Sequence, residues 1–279
     1  MTATASGATH EGDLGRRITS GLLLAAVALG SVATVPTFTV VVLAITLGAL
    51  WELAALTARK GQELICPVAA IAVSVYIVLA AVGLQHTYER MLLACTIVAS
   101  LGFSLVGERQ GYFVRSASTV FGVLYIGWLA SYFLALRNLP GVGAAWVVAC
   151  IVTIAFTDIF SMIAGKLVGR TPLTSISPKK TWEGAFGGFV ASVAVGASLG
   201  AVAMLHIAWW DGIVVGAFTS VAAQAGDIVE SAFKRDARVK DAGNFMPGHG
   251  GILDRLDSYL FGGIAFYAAL WATHHVSHL

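Results

Sequence analysis

"VASVAVGASLGAVAML", Val190–Leu205, runs for sixteen residues with no charge and only two hydroxyls, Ser192 and Ser198. At 1.5 Å per residue a helix needs about 20 apolar residues to cross the hydrocarbon core, whereas barrel strands alternate polar and apolar over about ten. The run therefore reads as a membrane-crossing helix. Gly21–Val35 reads the same way, and the whole 279-residue chain is 57% hydrophobic and 11% charged, outside the range of a soluble globular domain.

The fold class expected is all-α: a polytopic helical membrane protein with about nine transmembrane helices, near 18–35, 37–57, 66–84, 91–106, 117–136, 144–165, 185–205, 209–230 and 257–275. Residues 1–15, small and polar, read as a disordered tail. Arg16 and Arg17 before the first span also fit a signal peptide, but no convincing cleavage site follows, and a retained helix is the better reading. Residues 16–143 form an N-terminal set of helices. Residues 144–279 form a C-terminal set that carries two long polar segments, 166–184 and 231–256.

With nine spans, all of the 17 Lys and Arg residues except Arg90 and Arg137 fall on the side that holds the N-terminus. The positive-inside rule makes that side the cytoplasm and puts both polar segments there. Cys66, Cys95 and Cys150 lie in or beside apolar runs without metal-ligand spacing and read as inert small hydrophobes. Glycines such as Gly184 and Gly188, in GxxxG spacing, read as close helix packing; no GxxxxGK[ST] or GxGxxG motif is present.

Against this background "KRDARVKDAGNFMPGHGGILDRLD", Lys234–Asp257, places nine charged side chains in twenty-four residues. Just before it, Asp227, Glu230, Ser231, Lys234 and Arg238 recur every three or four residues, on one face of a continuing helix. Pro247, Gly248, Gly250 and Gly251 break that helix. Asp254 and Asp257 then open the last span with Arg255 between them. Carboxylates from two helix ends, Asp227 on one and Asp254 with Asp257 on the other, are the hard oxygen donors of a Mg²⁺ site, and Glu230 adjoins them. His249 either binds phosphate, donates a proton or shapes the turn. In "TSISPKKTWEGAFGG", Ser175, Ser177, Lys179, Lys180 and Thr181 suit a polyphosphate or an anionic headgroup. Asp158 carries span six toward this segment, and Glu52 in "LWELAAL" reads as an interfacial acid near Arg59 and Lys60. Bases, acids and glycine turns at one face of a membrane protein suggest phosphoryl or nucleotidyl transfer onto a lipid.

Ser231–Asp257 resembles the signature of the phosphatidate cytidylyltransferases (CDP-diacylglycerol synthases): Ser-x-x-Lys-Arg, Lys-Asp-x-Gly, Pro-Gly-His-Gly-Gly and Asp-Arg-x-Asp. "SPKKTWEG", Ser177–Gly184, and "QAGD", Gln224–Asp227, resemble two further blocks in the expected order. One departure is "DIFSMIAGK" after Asp158, where family members often have Gly-Ala-Tyr; it weakens a role for that segment. The resemblance implies the reaction of CTP with phosphatidate to give CDP-diacylglycerol and pyrophosphate, with Mg²⁺ and room for a second, monovalent cation such as K⁺. It implies metal ligation by Asp227 and Asp254, with Asp257 and Glu230 in support, and catalytic roles for Lys234 and His249. Substrate contacts would come from Ser177, Lys179, Lys180, Thr181, Ser231, Arg235, Lys240, Asp241, Gly250, Gly251 and Arg255. The partners expected are the two substrates and the bilayer, with no nucleic acid; a homodimer is plausible mainly from the resemblance. A CTP-dependent polyprenol kinase or a cytidylyltransferase for another lipid phosphate is the nearest rival. A CDP-alcohol phosphotransferase is disfavoured because its Asp-x-x-x-Asp spacing is absent, and a transporter because the chain shows no internal repeat.

Overall fold

A computed structural model describes residues 26–106, 111–243 and 250–276. The N-terminal tail, residues 18–25 of the span expected at 18–35, and Pro247, Gly248 and His249 lie outside these residues. Residues 26–31 are helical, and eight longer helices follow: α1 (Val35–Ala58), α2 (Cys66–Ala81), α3 (Gln85–Ser104), α4 (Tyr112–Arg137, with a π-helical segment at Val123–Trp128), α5 (Gly143–Val168), α6 (Trp182–Ser198), α7 (Trp209–Asp236) and α8 (Leu253–Ala272). Each overlies one of the expected spans from the second onward. Among the described residues there is no strand; Pro172 and Thr181 form an isolated bridge. α1, α4, α5, α7 and Trp182–Ala201 are long and apolar enough to cross a membrane, and α2 is a shorter apolar helix. The chain is an all-α membrane protein.

Several boundaries move for local reasons. α3 starts at Gln85, six residues before the expected span, because Glu89 finds the indole Nε1 of Trp128 and Gln85 Nε2 donates to Ser131 Oγ at 2.8 Å. α6 ends early in two 3₁₀ turns, Leu199–Ala201 and Ala203–Leu205. α7 stops at Asp236, so Arg238, with φ 56°, is not on the helical face expected to carry it.

The helices run alternately up and down, so their polar ends separate into two groups. At one end Arg137 Nε and Nη2 donate to the carbonyls of Val32 and Ala33 at 2.7 and 2.9 Å, and Asp211 meets His275 at 3.2 Å. The other end gathers the C-termini of α1, α5 and α7 and the N-termini of α6 and α8, where Lys60, Lys180 and Lys234 each meet a carboxylate.

Two kinds of packing build the bundle. α5, α6 and α7 meet through small residues: a Cβ on Gly188 would come within 2.6 Å of the Thr157 carbonyl oxygen, and Ser192 Oγ donates to the Gly216 carbonyl at 2.8 Å. The GxxxG spacing thus serves close packing. Around α2, α4 and α8 bulky side chains fill the interior instead, among them Tyr76, Ile77, Ile126, Leu134, Phe266 and Leu270. The outer surface carries large apolar groups such as Trp51, Phe113 and Phe218, the reverse of a water-facing surface.

Candidate active site

The site grows from the end of α7. Residues three and four apart share a helical face, so Asp227, Glu230, Ser231 and Lys234 line one side of its last turns, and that side packs on the start of α8. Lys234 Nζ lies between two carboxylates, paired with Glu230 on its own helix and 2.6 Å from Asp254 Oδ1 on α8. All three side chains are almost wholly withdrawn from solvent. The other Asp254 oxygen, Oδ2, accepts from the amides of Ala242 at 3.0 Å and Gly251 at 2.7 Å. Asp254 is therefore fixed by an ammonium and two backbone donors. Gly250, at φ 79°, turns the chain in a region that side chains rarely adopt, and a Cβ there would approach Asp254 Oδ2 to 2.7 Å.

The second part comes from segment 166–184. Leu173 N donates to the Lys180 carbonyl, Lys180 N to the Ser177 carbonyl and Trp182 N to the Thr171 carbonyl, which folds the segment back on itself. Thr181 caps α6, accepting from Gly184 N at 3.1 Å, and the Glu183 carboxylate takes the amides of Arg170 and Thr171. So held, Lys180 Nζ reaches Asp227 Oδ2 at 2.7 Å. The basic segment and the acidic end of α7 are joined directly.

Asp257, one turn into α8, is buried and accepts from Ser258 N at 2.7 Å. Ser258 Oγ donates to Asp158 Oδ1 at 3.2 Å, and Asp257 lies in the field of Asp227, Glu230 and Asp158. Five acids, Asp158, Asp227, Glu230, Asp254 and Asp257, thus crowd one end of the bundle against the nearby cations Lys180, Lys234 and Arg255. An excess of hard oxygen donors is the chemistry of a divalent-cation site, so the residue types fit Mg²⁺. Among the described residues, however, no three acidic, His or Cys side chains converge on a point that could hold a metal ion; lysines hold Asp227, Glu230 and Asp254.

The remaining expected residues fall around this centre. Ser231 is buried beside it, and Gly251 closes on Asp254. Ser177 shapes the turn before Lys180, while Lys179, Arg235, Lys240, Asp241 and Arg255 are exposed at the same end. His249 lies outside the described residues. Sequence reasoning missed Tyr125 here and misplaced Glu52. Tyr125, in the π-helical segment of α4, is buried close to Asp257 and Glu230, and its hydroxyl has no hydrogen-bond partner among the described residues. Glu52 is buried and accepts from Leu253 N at 2.8 Å, while Lys60 goes to Asp236. The expectation of an interfacial Glu52 beside Arg59 and Lys60 is therefore corrected: α1 turns it inward onto α8. The apolar run around Tyr125 gave no signal. An uncompensated acid in an apolar run was the signal for Glu52.

The model of the cytidylyltransferase family matches residues 15–273, nearly the whole chain. The chain belongs to the cytidylyltransferase family. Among similar proteins of this family, the chloroplastic phosphatidate cytidylyltransferase 4 of Arabidopsis thaliana is 40% identical over 187 residues, 59% of this chain and 48% of its own length. The Bacillus subtilis phosphatidate cytidylyltransferase is 39% identical over 172 residues, 61% of each chain. That of Helicobacter pylori is 30% identical over 198 residues, 71% of this chain and 73% of its own. The match thus spans about half of the plant relative and about three fifths of the Bacillus one.

Proposed function

We propose that this cytidylyltransferase-family chain is a phosphatidate cytidylyltransferase, converting CTP and phosphatidate to CDP-diacylglycerol and pyrophosphate. The observation that carries the reading is the Lys180–Asp227 link, which joins the basic segment to the acidic signature at one end of membrane helices. The family and the names of its relatives support the substrates.

The chemistry suits such a site. A phosphate monoester has a second pKa of about 6, so phosphatidate is largely dianionic at neutral pH and attacks the α-phosphorus of CTP without a dedicated base. One P–O bond forms to the lipid phosphate, the bond from the α-phosphorus to its bridging oxygen breaks, and pyrophosphate leaves with the electron pair. The protein's task is to hold two anions in line and offset the charge on the leaving group. Lys180 and Lys234 supply positive charge at fixed points, and Lys179, Arg235, Lys240 and Arg255 extend it over the same end. Asp227, Asp254, Asp257 and Glu230 are the carboxylates that would hold Mg²⁺, with room in the reading for a monovalent cation such as K⁺; bound Mg²⁺ neutralises phosphate oxygens. Asp254, fixed by two backbone amides, keeps Lys234 at the junction of α7 and α8. The charge asymmetry of the sequence supports a multi-pass protein of the cell membrane with this end toward the cytoplasm, where CTP is found. The glycine-rich helices suit a homodimer.

The test is release of pyrophosphate from CTP by the purified protein in detergent, with and without phosphatidate and Mg²⁺. Metal-dependent release that needs phosphatidate, with CDP-diacylglycerol as product, is the expected result. Formation of CDP from CTP with a lipid alcohol instead would replace the reading with a kinase.

A further inference from the structure

Glu52 belongs to α1, 201 residues before Leu253, yet its carboxylate meets the start of α8. Oε2 accepts from Leu253 N at 2.8 Å, the first amide of α8. α8 has no side-chain cap of its own at that end, so this bond supplies a cap from another helix. The same carboxylate lies against Gly243 and Gly251, and a Cβ on either residue would run into it. The other oxygen, Oε1, is buried without a hydrogen-bond partner among the described residues. Asp254 in turn takes the amides of Ala242 and Gly251. Two carboxylates therefore grip residues 242–243 and 251–253.

We propose that Glu52 is a positioning residue of the reaction: it holds Gly243, Gly251 and the first turn of α8 in the register that sets Asp254, and through Asp254 the ammonium of Lys234, at the phosphate-binding end. The proposal rests on the cytidylyltransferase reading above. It also fits the glycines at 243 and 251, where a Cβ would push the Glu52 carboxylate aside.

The experiment uses the full chain in detergent and compares wild type, Glu52→Ala, Glu52→Gln, Gly251→Ala and the double variant Glu52→Asp/Gly251→Ala. Hydrogen exchange is read in peptides covering residues 250–256, and kinetics are read with CTP and phosphatidate varied separately. Glu52→Ala is expected to raise exchange in those peptides about tenfold while peptides from α2 and α6 keep wild-type exchange. Its kcat/KM for CTP should fall about a hundredfold, as displaced reacting groups do, with the KM for phosphatidate unchanged. Glu52→Gln, which keeps the shape and the acceptor for Leu253 N, should stay within about threefold of wild type. Gly251→Ala should lose activity like Glu52→Ala, and the shorter acid of the double variant should restore part of it. Wild-type exchange and kinetics in Glu52→Ala would overturn the proposal. A uniform rise in exchange across all helices marks loss of the fold and passes the decision to the double variant. If Glu52→Ala does not fold, failure of Glu52→Asp to rescue Gly251→Ala overturns it equally. A wild type that makes no CDP-diacylglycerol overturns the functional reading instead, while the exchange data still report whether Glu52 holds the start of α8.

Discussion

α5, α6 and α7 meet backbone to backbone, whereas α2, α4 and α8 pack through bulky side chains, and α1 and α4 send single polar groups, Glu52 and Tyr125, toward the site. The glycine-packed helices bring the charged segments within ion-pair distance because nothing bulky stands between their axes. The side-chain-packed helices close the remaining wall. The difference separates what builds the reacting end from what holds it in place.

The largest effect should come from the charged end itself. Asp254→Asn removes one of the two carboxylates that hold Lys234 and should lower CDP-diacylglycerol formation by about a thousandfold, the upper range for one preorganised electrostatic group, while the protein still inserts and elutes as wild type. Near-native turnover would take Asp254 out of the reaction. Lys180→Met breaks the link to Asp227 and should cost about a hundredfold in kcat/KM. An effect confined to thermal stability would make that link structural. Gly216→Val tests the packing half: its side chain would enter the Ser192 backbone, with an expected loss of about 3 kcal/mol read as a lower Tm in detergent. Ile77→Val, in the side-chain-packed half, should cost only about 1 kcal/mol in the same assay. If the two packing variants lose stability equally, the distinction between the halves falls. The half-exposed Lys60–Asp236 pair should contribute least; a double-mutant cycle with alanine is expected to give less than about 1 kcal/mol of coupling.

Helix positions were legible in the sequence because membrane spans are set by length and apolar composition, which a chain displays locally. The acids and bases of α7 and α8 were legible for the same reason: Asp227, Glu230 and Lys234 share a face by helical spacing alone. What stayed hidden was pairing across the bundle. No local pattern tells that Lys180 meets Asp227, that Lys60 prefers Asp236, or that Glu52 faces inward, because each depends on which helices are neighbours. The same limit applied to Tyr125, brought to Asp257 and Glu230 by a π-helical turn that the apolar run around it does not announce.

The contact between Gly188 and the Thr157 carbonyl bears on how freely the chain can drift in sequence. An aliphatic core accepts Ile for Leu or Met for Leu with small rearrangements, but a position filled by another helix's backbone has no larger equivalent. Libraries aimed at changing lipid preference belong on α1 to α4, Glu52 aside, where many substitutions leave a folded protein to select from. On the facing sides of α5 to α7, most variants would be lost before their chemistry could be assayed.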